Sequence, residues 1–324
     1  MLFGFVCSAG LLGLLFYRYP LDAAYFSTLR EARWWGVAGI VLSTALHCQL
    51  SAHKWRIVTL LGDPHANLGR GLFGFYSALI ALLGQAMPLQ VAVLAGRSLA
   101  LRTHADIPMR RSVLGAIYDQ GFDLLIPGLA LLPAALFFFG MMGPAWAVCL
   151  FIFAVVLCGV LLRFWGERVI GRVLVAANAM LPDRLAQRTG LARMAASPPE
   201  HVGNRALFRL YSWSVFRFAN LVLRAWLVAW CIRVNIGLPA LLFGHCVVMF
   251  SVILNFVPGA LGVAEWGWMG ALNLAGVSSD DAMAYAVSSR LLIVLSLILV
   301  NLIWLSAMLL RGFKVRAGRS PDVM

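Results

Sequence analysis

Asn255-Phe-Val-Pro-Gly-Ala-Leu-Gly-Val-Ala-Glu265 interrupts a chain that otherwise reads largely as apolar helix. A second interruption runs from Gly84 through Pro88 to Arg97. Each proline stands 32 positions before a polar residue in the next apolar helix, Pro88 before Gln120 and Pro258 before Arg290. Irregular backbone cannot face lipid, because hydrocarbon offers no partner to a free N–H or C=O. At membrane depth it survives only where protein or a watery cavity satisfies those groups. Two Gly/Pro breaks at corresponding places in two halves therefore point to a transport site between them.

Composition sets the class. Hydrophobic residues make up 62% of the 324 positions and charged residues 12%, against roughly 25% charged in soluble domains. Several apolar runs reach the ~20 residues that cross a hydrocarbon core of ~30 Å. The first, Leu2 to Tyr17, follows Met1 with no basic segment and no small-residue cleavage site, and reads as a membrane helix. The six cysteines mostly sit in apolar helices without a CxxC pair, so they read as small core residues. His47, His53 and His245 show no ligand spacing, and no metal, cofactor or catalytic motif is expected. The net charge of +13 lies largely in loops, which excludes nucleic acid as a partner and fits positive-inside topology.

The expected fold is an all-α polytopic membrane protein. Expected helices are 2–17, 34–51, 71–87, 89–101, 112–139, 144–162, 206–231, 238–257, 259–275 and 281–310. If each broken pair dips in and returns to the same side, six full crossings and two re-entrant pairs remain. Three crossings per half then force the halves into opposite orientations, an inverted repeat. The transmembrane domain covers 1–312, with repeat one at about 1–140 and repeat two at about 144–311. The basic loop 163–205 falls within repeat two, and 313–324 is a tail. With the N-terminus inside, the inner segments 53–70, 97–111, 163–209 and 311–324 carry 19 Lys/Arg and the outer segments 4. Both termini are therefore expected in the cytoplasm.

Six charged residues are expected at membrane depth: Asp119, Asp123, Arg217, Arg224, Glu265 and Arg290. Each costs about 2.5–3.5 kcal/mol on insertion scales. Asp119 and Asp123 share a helix face, and Arg217, Asn220 and Arg224 form one stripe. Two readings stand side by side. The charges pair internally and fix packing, or the arginines meet an anionic headgroup and the acids orient them or carry protons. Arginine suits phosphate because its planar fork binds two oxygens at once. Pro258, Gly259 and Gly262 would let backbone approach that headgroup closely.

The stretch Val257 to Glu265, then Ala275-Gly-Val, then Ala282 to Arg290, resembles a motif of the lysylphosphatidylglycerol synthase/flippase transmembrane family, roughly P-G-G-x-G-x-x-E followed by a Gly-Val turn and an alanine-rich helix with an arginine. Pro88 to Arg97, then Asp119 to Asp123, resembles its earlier motif, roughly P-x-x-x-G-[DE]-x-x-R followed by E-[RK]-x-x-D. The likeness spans about residues 1–312. Ala260 replaces the second glycine of P-G-G, Val93 and Leu94 replace the Gly-acid step, and Gln120 replaces a basic residue. The resemblance implies a stand-alone flippase-like protein of the bacterial inner membrane, without the aminoacyltransferase domain. Arg97, Asp119, Asp123, Arg217, Arg224, Pro258, Gly259, Gly262, Glu265 and Arg290 are its expected substrate-binding residues. The substrate would be a membrane lipid or a polyisoprenyl-linked glycan. A membrane accessory subunit of a glycosyltransferase is the main alternative, and a lipid-linked transferase a lesser one.

Overall fold

Long aliphatic runs fold as helices in lipid because each N–H finds a carbonyl one turn back. The structure, a computed structural model, describes residues 10–14, 17, 31–63, 69–105, 107, 109–180, 203–253 and 257–310. The numbered helices are α1 (Trp34–Gly62), α2 (Arg70–Leu83), α3 (Leu89–Ala105), α4 (Met109–Phe138), α5 (Pro144–Met180), α6 (Asn204–Cys231), α7 (Leu238–Ile253), α8 (Val263–Leu274) and α9 (Ser279–Leu310). A 3₁₀ turn, Pro258–Ala260, precedes α8. Among the described residues there is no strand.

Among the described residues four segments are long and apolar enough to cross a membrane: Asp119–Phe138 in α4, Pro144–Arg168 in α5, and the whole of α6 and α9. They coincide with four of the six expected crossings, and the chain is a multi-pass helical membrane protein. Helices α2 and α7, with 14 and 16 residues, are shorter. At 1.5 Å per residue they extend about 21–24 Å, less than the hydrocarbon core. They are the first arms of the two broken pairs.

Two expectations change at the boundaries. Helix α1 runs past Ser51 to Gly62, so Lys54 and Arg56 are helical and do not lie in a connection between helices. Trp55, Ile57 and Val58 are buried and keep the apolar face going, with Trp55 edge-on to Phe73 at 4.8 Å. Helix α5 runs to Met180 and occupies the first part of the expected loop 163–205, while 181–202 lies outside the described residues. Most of the expected helix 2–17, residues 254–256 and the tail 313–324 also lie outside them.

Helices α1 and α6 form the central pair. Ser43 Oγ donates to Asn220 Oδ1 at 3.0 Å, and Asn220 Nδ2 donates back to the Ser43 carbonyl at 2.9 Å. A β-carbon at Gly36 would come 2.8 Å from Cys231 Cβ, so these helices touch at backbone distance there. One apolar cluster joins α6, α7, α8 and α9, and another joins α4, α5, α6 and α7. Phe153, Val156 and Val160 of α5 stay exposed, as lipid-facing side chains should.

Candidate functional site

Both breaks are ordered turns. After α2, Gly84 to Met87 fold back on the last turn, with Gln85 N donating to the Leu82 carbonyl at 2.9 Å and Met87 N to the Leu83 carbonyl at 3.0 Å. Pro88 then opens α3, its carbonyl accepting from Ala92 N at 3.1 Å. The other break bends at Gly259, with φ +59°, and at Gly262, with φ +83°. Glycine meets this left-handed geometry without steric cost. Glu265 accepts from Gly262 N–H at 2.7 Å, which satisfies a free donor at the start of α8.

The two breaks touch each other. A β-carbon at Gly259 would overlap the carbonyl oxygen of Gln85 and lie 3.0 Å from Arg290 Nη2. Arg290 fastens the junction from α9. Its Nη2 donates to the Gly259 carbonyl at 2.5 Å, and its Nε lies 3.9 Å from Glu265 Oε1.

A cavity of about 210 Å³ opens where they meet. Gly84 and Gln85 line it from the first break, and Gly259 and Ala260 from the second. Its charged walls are Arg217, Arg224, Arg290 and Glu265. Leu221, Val228, Val248, Met249 and Ile293 supply much of the apolar remainder, with Trp268 and Tyr285, whose rings meet edge-on at 4.9 Å. His47 and His245 line it as well. Four of the expected charges therefore face one chamber.

Behind the chamber lies a second charged cluster. Lys54 Nζ is 2.9 Å from Asp119 Oδ1 and 2.5 Å from Asp123 Oδ1. Arg97 Nη1 is 2.6 Å from Asp119 Oδ2, and Arg217 Nη1 pairs with Asp123 Oδ2. Arg97 Nη1 and Asp119 Oδ1 sit within ion-pair reach of their partners but off the hydrogen-bonding direction. The Arg97 guanidinium also lies over Trp55, 5.6 Å from the ring centre. This cluster ties α1, α3, α4 and α6 together, with Lys54 fully buried. Arg217 belongs to both regions, pairing with Asp123 while lining the cavity.

Of the expected site residues, Arg217, Arg224, Gly259, Glu265 and Arg290 line the cavity. Pro258 and Gly262 shape the turn beside it. Arg97, Asp119 and Asp123 lie in the ion cluster instead. Within the polar stripe of α6, Asn220 turns to α1 while its two arginines turn to the cavity.

Sequence reasoning missed Lys54, His47 and His245. Lys54 and His47 are seven apart on α1 and so share a face two turns apart, a spacing that could have flagged them together. His245 carries no local signal.

Among the described residues no group of three or more His, Cys, Asp or Glu side chains converges as a metal site would require. The chamber is cationic, so its chemistry suits an anion. A family model for the lysylphosphatidylglycerol synthase TM region matches residues 1–300. No curated protein and no solved structure matches the chain.

Proposed function

The chain belongs to the lysylphosphatidylglycerol synthase TM region family, and from that premise we propose that it moves a lipid, or a lipid-linked sugar, with an anionic or zwitterionic headgroup between the leaflets of a bacterial inner membrane. Membership makes it a membrane protein of lipid and cell-envelope related function. The step from there to translocation rests on one observation. Two backbone breaks meet at a single chamber that three arginines and one carboxylate line.

In this reading the headgroup enters the chamber while its tails stay in lipid. Arg217, Arg224 and Arg290 take the phosphate in turn, each offering a charged fork. Glu265 holds Arg290 against the second break, so the site is preorganised rather than assembled on binding. Asp123 holds Arg217 from behind. The short helices α2 and α7 act as re-entrant arms of oppositely inserted repeats, with both termini in the cytoplasm. A cavity of this size takes a headgroup but not a whole lipid, since sites for drug-sized ligands occupy ~300–1,000 Å³.

The test is reconstitution of the purified chain in vesicles holding acyl-labelled phospholipid, with dithionite quenching to follow exchange between leaflets. Wild type is expected to exchange lipid, and Arg290→Ala to slow exchange at least tenfold. Exchange equal to empty vesicles removes the proposal, and equal rates for both proteins remove Arg290 from the mechanism.

A further inference from the structure

We infer that the chamber selects a phosphate headgroup carrying no compensating amine, so that its substrate is a net-anionic lipid and not an aminoacylated or ethanolamine-type one. This rests on the translocation reading and narrows it.

The argument starts from which charges already have partners. Asp119 and Asp123 are held by Lys54, Arg97 and Arg217. Glu265, the cavity carboxylate, accepts from Gly262 N–H and neighbours Arg290. A headgroup ammonium entering the chamber meets no unpaired carboxylate among the described residues. Stripping an amine of water without a counter-ion is unfavourable by several kcal/mol.

The donors tell the opposite story. Arg224 lines the cavity and makes no ion pair or hydrogen bond among the described residues. Arg217 Nε, His47 Nδ1 and His245 Nε2 are buried nitrogens with no hydrogen-bond partner among the described residues. His245 is only 8% exposed. Its ring lies 5.8 Å from Phe218 and 6.0 Å from Trp268, which fix its plane. A buried donor without a partner costs about 1–3 kcal/mol. A phosphate brought among Arg217, Arg224, His47 and His245 supplies acceptor oxygens to these donors. Even as a neutral ring, each imidazole can turn one N–H toward an anion.

The experiment compares three acyl-labelled probes in the vesicle assay: phosphatidylglycerol, phosphatidylethanolamine and lysylphosphatidylglycerol. A parallel arm measures binding of short-chain forms of each, and of free glycerol phosphate, to the full chain in detergent by thermal shift. Phosphatidylglycerol is expected to exchange at least tenfold faster than lysylphosphatidylglycerol and to give the largest shift. Glycerol phosphate is expected to give a smaller one, because it leaves the apolar wall uncovered; a shift as large as the lipid's would make the ligand a soluble phosphate and overturn the lipid assignment.

Arg224→Glu supplies the missing carboxylate without removing an internal contact, and is expected to reverse the preference. Arg224→Lys keeps the charge and should keep the preference. Equal exchange of all three probes by wild type overturns the selectivity and leaves translocation standing. Selective binding with no exchange of any probe overturns translocation and leaves the selectivity. Equal binding together with no exchange overturns both.

Discussion

Two charged regions lie side by side in the membrane part of this protein, and they are built on opposite terms. In the cluster of Lys54, Arg97, Arg217, Asp119 and Asp123, every charge faces an opposite one, and four helices are tied by it. Of the three arginines that line the chamber, Arg290 neighbours Glu265, Arg217 is paired with Asp123 outside it, and Arg224 has no ion-pair partner among the described residues. Opposite charges that saturate one another hold helices; an excess of one sign waits for a ligand. Arg217 is the hinge between the two uses. The positive excess of the chamber is therefore a property of the site, and the ion-paired cluster behind it keeps that excess in place.

Substitutions can break or sharpen this contrast. The largest effect on stability should come from Asp123→Ala, which leaves Lys54 and Arg217 buried without that carboxylate. Breaking one partner of a buried pair costs about 3–5 kcal/mol, read as a lower midpoint for unfolding in mixed micelles. A shift below about 1 kcal/mol would mean the cluster does not hold the helices. Gly259→Ala comes next. Its β-carbon would meet the Gln85 carbonyl and Arg290 at a left-handed backbone, and the strain should cost about 1–3 kcal/mol. Lipid exchange should fall with it, because the two breaks are pushed apart.

Ala260→Gly should move stability the other way. Ala260 sits at φ +49°, where an L-residue pays about 1–2 kcal/mol that glycine does not. The replacement should raise the unfolding midpoint by about 1 kcal/mol, and an unchanged or lower midpoint would count against that backbone geometry. Smallest of all on stability should be Arg224→Gln, within about 0.5 kcal/mol of wild type, yet with exchange of anionic lipid reduced at least tenfold. A large loss of stability there would erase the difference between the two regions.

The positions of the breaks could be read from the sequence because glycine and proline act locally. Pro88, Pro258 and Gly259 each weaken a helix locally, although proline alone does not end one, since α4 runs through Pro127 and Pro133. The lengths of α6 and α9 could be read because the bilayer sets them, whereas α1 and α5 run well past their expected ends. The fate of individual charges could not. Lys54 reads as a loop cation because it falls beyond the expected helix end at 51, and only the arrival of Asp119 and Asp123 from α4 makes its burial tolerable. Asp119, Asp123 and Arg97 read as substrate residues because any charge at membrane depth does. Their placement in the cluster depends on which helix faces which. His245 could be seen but not assigned to the chamber, since an isolated histidine in an apolar helix looks the same whether it packs or binds. Ala260 is the reverse case. The sequence marks it as a departure from a Pro-Gly-Gly motif, and its left-handed backbone supplies the physical reason a glycine would stand there.

The most direct test of the central claim is photo-crosslinking with a headgroup-reactive phosphatidylglycerol in native-like vesicles, followed by mass spectrometry of the labelled peptides. A headgroup that enters the chamber predicts labels on its wall, at residues such as Leu221, His245, Trp268 and Tyr285. Labels confined to exposed outer positions of the same helix, such as Leu223 and Trp226, with none on the chamber wall, would contradict it.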